Sequence, residues 1–381
     1  MLKHICKRKV TNMKIGIIGF GSMGKTHAYS IENLKYFYSP LGFKAEIAGI
    51  CTRSLERSEA YCSQYGVGRA YRDEDEMIAD PDIHVIDICT PNTCHYETLK
   101  KAIAAGKHIY CEKPLCTTRA EAEEIARLAR EKGVICAVVF NTRFLLPVMR
   151  AKELVDDGRI GDVISFRGAF LHSSSADPKK PAGWKQNKDI CGGGVLFDLG
   201  SHIIDLIYFL GGEFESVSGM SQIAYKTRAG MDGKQWETNA DEAFYMTARL
   251  KNGACGTISV GKIMHGTNDD HSFEIFGTKG SIKFDLMEPN FLWFYDAEKP
   301  EAERGYTKVE CCGRYPAPGG VFPGVKAPIG WLRGHVGSMY NFLSAVNEGR
   351  QPSPSFDDAA HIQAVMEAAY RSDETGCREM I

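Results

Sequence analysis

The 381-residue chain has no uninterrupted apolar run near the roughly 20 residues that a membrane-spanning helix requires. Its most apolar long stretch, residues 195–210, is broken by Asp198, His202 and Asp205, so the chain reads as soluble with no membrane partner. Net charge is also scarce. Against 46 Lys and Arg stand 48 Asp and Glu, a formal charge of −2, which argues against bulk electrostatic binding of nucleic acid. Paired C-x-x-C spacing is absent. The 13 cysteines are odd in number, and Cys89, Cys111 and Cys136 fall inside apolar strands. That pattern fits free thiols in a reducing cytoplasm rather than a disulfide framework. Neither Cys89/Cys94 nor Cys311/Cys312 has zinc-site spacing, and no metal is expected. Residues 1–12 are basic and lack the apolar core of a secretory signal. They read as an N-terminal extension or an upstream start.

What is present is an ordinary globular composition, 44% hydrophobic and 25% charged, in a length that suggests two domains. From Met13 short apolar runs alternate with amphipathic stretches. Strands are predicted at 14–19, 45–50, 85–89, 108–111 and 134–140. Helices are predicted at 25–33, 55–65, 95–105 and 118–132, the last opened by a Thr118/Glu121 capping box. This alternation gives α/β architecture, a doubly wound parallel sheet covered on both faces. The first strand runs into Gly19-Phe20-Gly21-Ser22-Met23-Gly24 and then a helix. That is the context in which G-x-G-x-x-G binds a dinucleotide: one glycine turns the chain, one admits the pyrophosphate, and one lets the helix approach the strand. The second strand ends in Cys51-Thr52-Arg53-Ser54, with no carboxylate to hold the adenosine ribose. Thr52, Arg53 and Ser54 suit an added phosphate, which leans toward NADP. An Arg53 that merely stacks on adenine would leave NAD acceptable.

The second half changes character. A helix is predicted at 145–156 and a strand at 163–172, followed by hairpins turning at Asn252-Gly253 and at residues 277–280, a strand at 290–295, and closing helices at 332–347 and 356–371. The expected domains are a dinucleotide-binding domain at 13–136 and an α+β domain at 137–381 with an open, mostly antiparallel sheet. Residues 192–205 read as a glycine-opened, largely buried helix on which Asp198, His202 and Asp205 share one face. A polar stripe on a buried helix needs partners or a ligand; Asp205, farthest from the glycines, reads as structural. Oxidation of a secondary alcohol needs a base for the hydroxyl proton, and histidine titrates in the useful range. In the long loop 173–191, Trp184 either stacks on a sugar face or anchors the loop. Asn141 and Arg143 sit at the domain junction, within reach of a substrate. The loop 318–326 is read as a cover for the cleft or an oligomer contact.

Thr90-Pro91-Asn92 with His95, Glu112-Lys113-Pro114, the glycine loop and the run from Gly192 to Asp205 together resemble the glucose–fructose oxidoreductase / inositol dehydrogenase (Gfo/Idh/MocA) family, over nearly the whole chain from Met13. The resemblance implies NAD(P)-dependent oxidation of a secondary hydroxyl on a cyclic polyol, sugar or glycoside. It places Lys113, Asp198 and His202 at the catalytic site, and Thr90, Asn92, His95, Glu112 and Lys113 beside the cofactor. The substrate side comprises Lys113, Asn141, Arg143, Trp184, Asp198 and His202. It also implies a cis peptide before Pro114 and a homo-oligomer, a dimer or tetramer. His95 alternatively reads as a surface helix-start residue. Two other functions fit the same fold: redox-neutral glycoside cleavage through transient sugar oxidation, and a non-catalytic NAD(P) sensor. The retained Lys113, Asp198 and His202 argue against the sensor.

Overall fold

Runs such as Val-Ile-Asp-Ile at 85–88, buried at every position, build strands covered on both faces. In the computed structural model, which describes residues 11–230, 233–313, 315–324, 326–327 and 330–381, they form the centre of a six-stranded sheet. Residues 1–10 of the N-terminal extension and Val325 of the 318–326 loop lie outside the described residues. The strands are β1 (Asn12–Ile18), β2 (Lys44–Cys51), β3 (Arg69–Tyr71), β4 (Val85–Ile88), β5 (His108–Cys111) and β6 (Cys136–Val138). Between them run α1 (Ser22–Phe37), α2 (Leu55–Tyr65), α3 (Glu74–Ala79), α4 (His95–Ala104) and α5 (Arg119–Lys132). The order β3-β2-β1-β4-β5-β6, parallel throughout, is that of a dinucleotide-binding fold. It reverses direction between β1 and β4. The glycine loop and Thr90-Asn92 therefore flank the crevice where such sheets bind ligands.

The second domain carries α6 (Leu146–Asp156), β7 (Val163–Leu171), the short α7 (Lys188–Cys191), a π-helical turn at Leu196–Gly200 and α8 (Ser201–Gly211). There follow β8 (Phe214–Gln222), β9 (Thr227–Ala229), β10 (Gln235–Glu237), β11 (Ala243–Leu250), β12 (Cys255–Gly261), β13 (Asp270–Gly277), β14 (Gly280–Asp285), β15 (Phe291–Asp296) and β16 (Tyr306–Glu310). The chain closes with α9 (Trp331–Glu348), α10 (Phe356–Thr375) and β17 (Glu379–Met380). Nine strands form one sheet, β16-β15-β14-β13-β7-β12-β11-β8-β17, antiparallel except where β7 meets β12. Along β11 buried and exposed residues alternate, so one face of the sheet is open. The other carries α8. Gly168 on β7 lets that helix in, because a Cβ there would lie 2.6 Å from Ile203. The stretch Lys188–Gly211 is long and apolar enough to cross a membrane by length and composition, but 72% of its most apolar window is buried in this fold.

The last two helices turn back to the first domain: α9 packs on α1, and α10 on α5 as well as β8. Tyr38 stacks on Tyr340 at 4.3 Å, and the buried Tyr110 hydroxyl bonds Ser338 at 2.7 Å. A second joint is ionic. Arg143, expected beside the substrate, is instead 4% exposed and gives Nε to Asp205 at 2.9 Å and Nη1 to Ser353 at 2.9 Å. Placing Arg143 at the substrate is thus corrected: its guanidinium is taken up by the buried pair with Asp205, and Arg143 is not among the residues lining the cleft. Removing one member of a buried pair strands the other charge. Asp205→Ala is therefore expected to cost about 3–5 kcal/mol of stability, read by urea denaturation; a loss under about 1 kcal/mol would show that solvent reaches Arg143.

Candidate active site

The glycine loop shows its three uses directly. Gly19 holds φ +92°, and a Cβ there would lie 2.5 Å from the Cys89 carbonyl. A Cβ at Gly24 would meet the Gly19 carbonyl at 2.3 Å, so this glycine sets the helix-to-strand approach and does not itself face the cleft. A Cβ at Gly21 would meet nothing within 4 Å, which leaves open the space a pyrophosphate needs. Phe20, Gly21, Ser22 and Met23 line one end of a cleft of about 1070 Å³ between the domains. A dinucleotide fits this cradle, held by the loop and the N-terminus of α1.

At the end of β2, Thr52 and Arg53 line the cleft, whereas Ser54 serves as the N-cap of α2, its Oγ accepting from the Arg57 N–H at 3.3 Å. Two arginines that the sequence reading passed over join Arg53 there: Arg57, one turn along α2, and Arg72. Asp73 and Glu74 also border this end, but Asp73 caps α3 and Glu74 is tied to Thr98 and Lys101.

Thr90, Asn92, Glu112 and Lys113 line the middle. Asn92 gives its amide to the Cys191 carbonyl at 2.8 Å, clasping the loop that leads into the catalytic helix. His95 neither touches the cleft nor lies at the surface. It is fully buried, with Nδ1 3.0 Å from the Pro114 carbonyl and Nε2 3.0 Å from that of Thr90, and so braces both loops from behind. The Lys113–Pro114 peptide is cis. Beneath them His27 lies 2.9 Å from Asp87 and 3.2 Å from Glu112. Burial alone would lower the His27 pKa, but Asp87 and Cys89 outweigh it and raise it well above the usual range. The charged ring in turn holds the buried Glu112 carboxyl low, against the pull of burial. His27, Asp87 and Cys89 converge within 4.8 Å, a grouping invisible in the spacing of the sequence.

The reacting end is assembled from both domains. Lys113 Nζ donates to the Asp198 backbone carbonyl at 2.6 Å and lies 3.4 Å from its Oδ1. Lys185 Nζ meets both carboxylate oxygens of Asp198, at 2.8 and 3.0 Å. Burial pushes the Asp198 pKa up, but Lys113 and Lys185 prevail and hold it well below the ordinary carboxylate range. His202 is four residues on. Its Nδ1 is buried without a partner among the described residues, which leaves Nε2 as the nitrogen facing the cleft. Burial, reinforced by the Lys113 charge, lowers the His202 pKa well below its usual value, so the ring is neutral at neutral pH. Asn141 and Trp184 line the same region, together with Trp331 and His335 from α9. Lys185 stands out in the sequence only as the neighbour of Trp184; its pairing with Asp198 is shown by the structure alone.

Comparison with known proteins agrees with this geometry. Residues 13–140 match the model of an oxidoreductase family with an NAD-binding Rossmann fold, and 148–283 match the GFO/IDH/MocA C-terminal domain. The levoglucosan dehydrogenase of Pseudarthrobacter phenanthrenivorans is 32% identical over 95% of this chain and 96% of its own. Myo-inositol 2-dehydrogenase of Thermotoga maritima is 30% identical over 77% of this chain and 81% of its own. A solved levoglucosan dehydrogenase in complex with NADH and levoglucosan superposes with a TM-score of 0.93 at 32% identity, covering 97% of this chain and 99% of that one. The protein belongs to the GFO/IDH/MocA oxidoreductase family, an NAD-binding Rossmann domain joined to that family's C-terminal domain.

Proposed function

We propose that the protein oxidises a secondary ring hydroxyl of a sugar, glycoside or cyclic polyol, with His202 as base. The observation that carries this reading is a half-buried, neutral His202 whose open nitrogen shares the cleft with Lys113 and the ionised Asp198. When bound, the nicotinamide cofactor supplies the acceptor for the carbon's hydride. The chain does the rest. His202 Nε2 takes the hydroxyl proton. Lys113 Nζ stabilises negative charge growing on the oxygen. Asp198, fixed from two sides by lysines, accepts hydrogen bonds from neighbouring hydroxyls. Phe140 and Phe170, with ring centroids 6.1 and 6.0 Å from His202, keep water from its buried side. Relatives named for levoglucosan and myo-inositol support a cyclic, hydroxylated substrate.

For the cofactor we propose a preference for NADP. Arg53, Arg57 and Arg72 border the adenosine end, and the two carboxylates nearby are already engaged.

His202→Ala and Lys113→Ala are each expected to lower kcat about 100-fold or more while cofactor binding, followed by fluorescence of the reduced nicotinamide, is largely kept. Near-wild-type turnover by His202→Ala would remove it as the base. The base form of His202 is the active one for oxidation, and its pKa is depressed. The acid limb of kcat/KM should therefore fall well below pH 6.5, the ordinary histidine value; a limb at or above 6.5 would contradict this. Arg53→Ala should weaken NADP binding about 10- to 100-fold, as loss of a charged hydrogen bond does, with a much smaller change for NAD. Equal losses would leave Arg53 without a phosphate role.

A further inference from the structure

A neutral His202 that accepts a proton at Nε2 must carry its own proton at Nδ1. That N–H is buried and has no partner among the described residues. A buried donor left unpaired is costly, and the ring escapes the cost by turning over or by moving its proton to Nε2. Either change removes the base, so a partner for Nδ1 is what keeps His202 in its working form.

Three rings pack about His202. Phe140 and Phe170 are apolar, and the third is His271 of β13, edge-on at 6.2 Å between centroids. Buried positions alternate along β13, and His271 shares its inward row with Phe273 and Ile275, where the pattern calls for an apolar side chain. It pairs with Phe170 across the sheet and lies flat on that ring at 4.3 Å, beneath α8, which packs on both β7 and β13. His271 is fully buried and is not among the described residues that line the cleft. Neither of its nitrogens has a hydrogen-bond partner among the described residues. Burial lowers its pKa to about 3, so the ring is neutral and offers one acceptor. The other groups whose charge acts on His202 are Lys113, Asp198 and His335, and all three line the cleft.

At this separation facing ring nitrogens stand about 4–5 Å apart, too far for a direct hydrogen bond and the span of one shared water. Phe140 and Phe170 shut out bulk water, and a single water sealed behind them between two ring nitrogens belongs to the structure. We propose that His271 is a positioning residue for the base. His202 Nδ1–H donates to one trapped water, which donates in turn to a nitrogen of His271, and His202 is held in the tautomer with Nε2 free. One link thus satisfies both buried rings. The proposal rests on the reading of His202 as the base.

The test reads tautomer and turnover separately. In full-length enzyme labelled with heavy-nitrogen histidine, the NMR signals of His202, identified by their loss in His202→Gln, should show a protonated Nδ1 and a bare Nε2 at neutral pH. His271→Phe keeps the stack on Phe170 and has no nitrogen; should the larger ring prevent folding, His271→Leu takes its place. In that variant the Nε2–H tautomer should appear, and kcat should fall about tenfold, the worth of one hydrogen bond, with substrate KM and cofactor Kd changed by less than about twofold. His271→Gln, whose amide oxygen accepts, should recover most of the lost kcat. Unchanged turnover without the imidazole, a loss that His271→Gln does not relieve, or a wild-type His202 protonated at Nε2 would overturn the proposal. Should no sugar be oxidised, the function fails separately and the tautomer decides. A protonated Nδ1 that is lost in His271→Phe supports the role of His271, and an unchanged tautomer overturns it.

Discussion

Asp198 sits where both domains and the long loop between β7 and α8 meet. Its backbone carbonyl receives Lys113 from the carboxyl end of β5, and its side chain receives Lys185 from the loop. A carboxylate at this depth is expensive unless it is paired, and here two ammonium groups offset its burial. The same arrangement orders three segments that share no local sequence. It also leaves His202, a turn further on, as the uncharged group in a positive neighbourhood, which is the state a base must have before it accepts a proton.

The support behind that centre is layered. His27 is charged because Asp87 and Cys89 outweigh its burial, and its charge holds Glu112, which precedes Lys113 in the chain, ionised. His95 bridges the backbones of Thr90 and Pro114 on the opposite side of the same loop. The lysine that polarises the substrate is therefore carried on a segment braced by two histidines that never touch the cleft's reacting end. The return of α9 and α10 onto the first domain adds a second link between the halves. It brings Trp331 and His335 to a cleft whose other wall is the Rossmann sheet.

Much of this was legible in the sequence. β1, β4 and β5 are mostly buried and read as short, predominantly apolar runs, and the glycine loop stands in the strand–turn–helix context that a dinucleotide site requires. The two hairpins were marked by Asn252-Gly253 and by the glycines at 277 and 280. What escaped has physical reasons. β3 is a three-residue edge strand with only Tyr71 buried, and β8 mixes serines and a glycine because half of it faces outward. The predicted helix at 192–205 opens instead as a π-helical turn that holds Asp198. Arg143 and His95 were misplaced because nearness to a motif along the chain does not say which way a side chain points. Trp331 and His335 reach the cleft only through long-range packing, which no local pattern records.

The central claim is that the two halves meet to move a hydride from a ring carbon while His202 takes the hydroxyl proton. A single turnover with a glucoside deuterated at its ring carbons, followed by mass analysis of the nicotinamide, tests it most directly. The account predicts a reduced cofactor one deuterium heavier, formed by the wild type and lost with His202→Ala. A cofactor that is reduced without deuterium, or a glucoside turned over with its ring deuterium passing only to solvent, would contradict it.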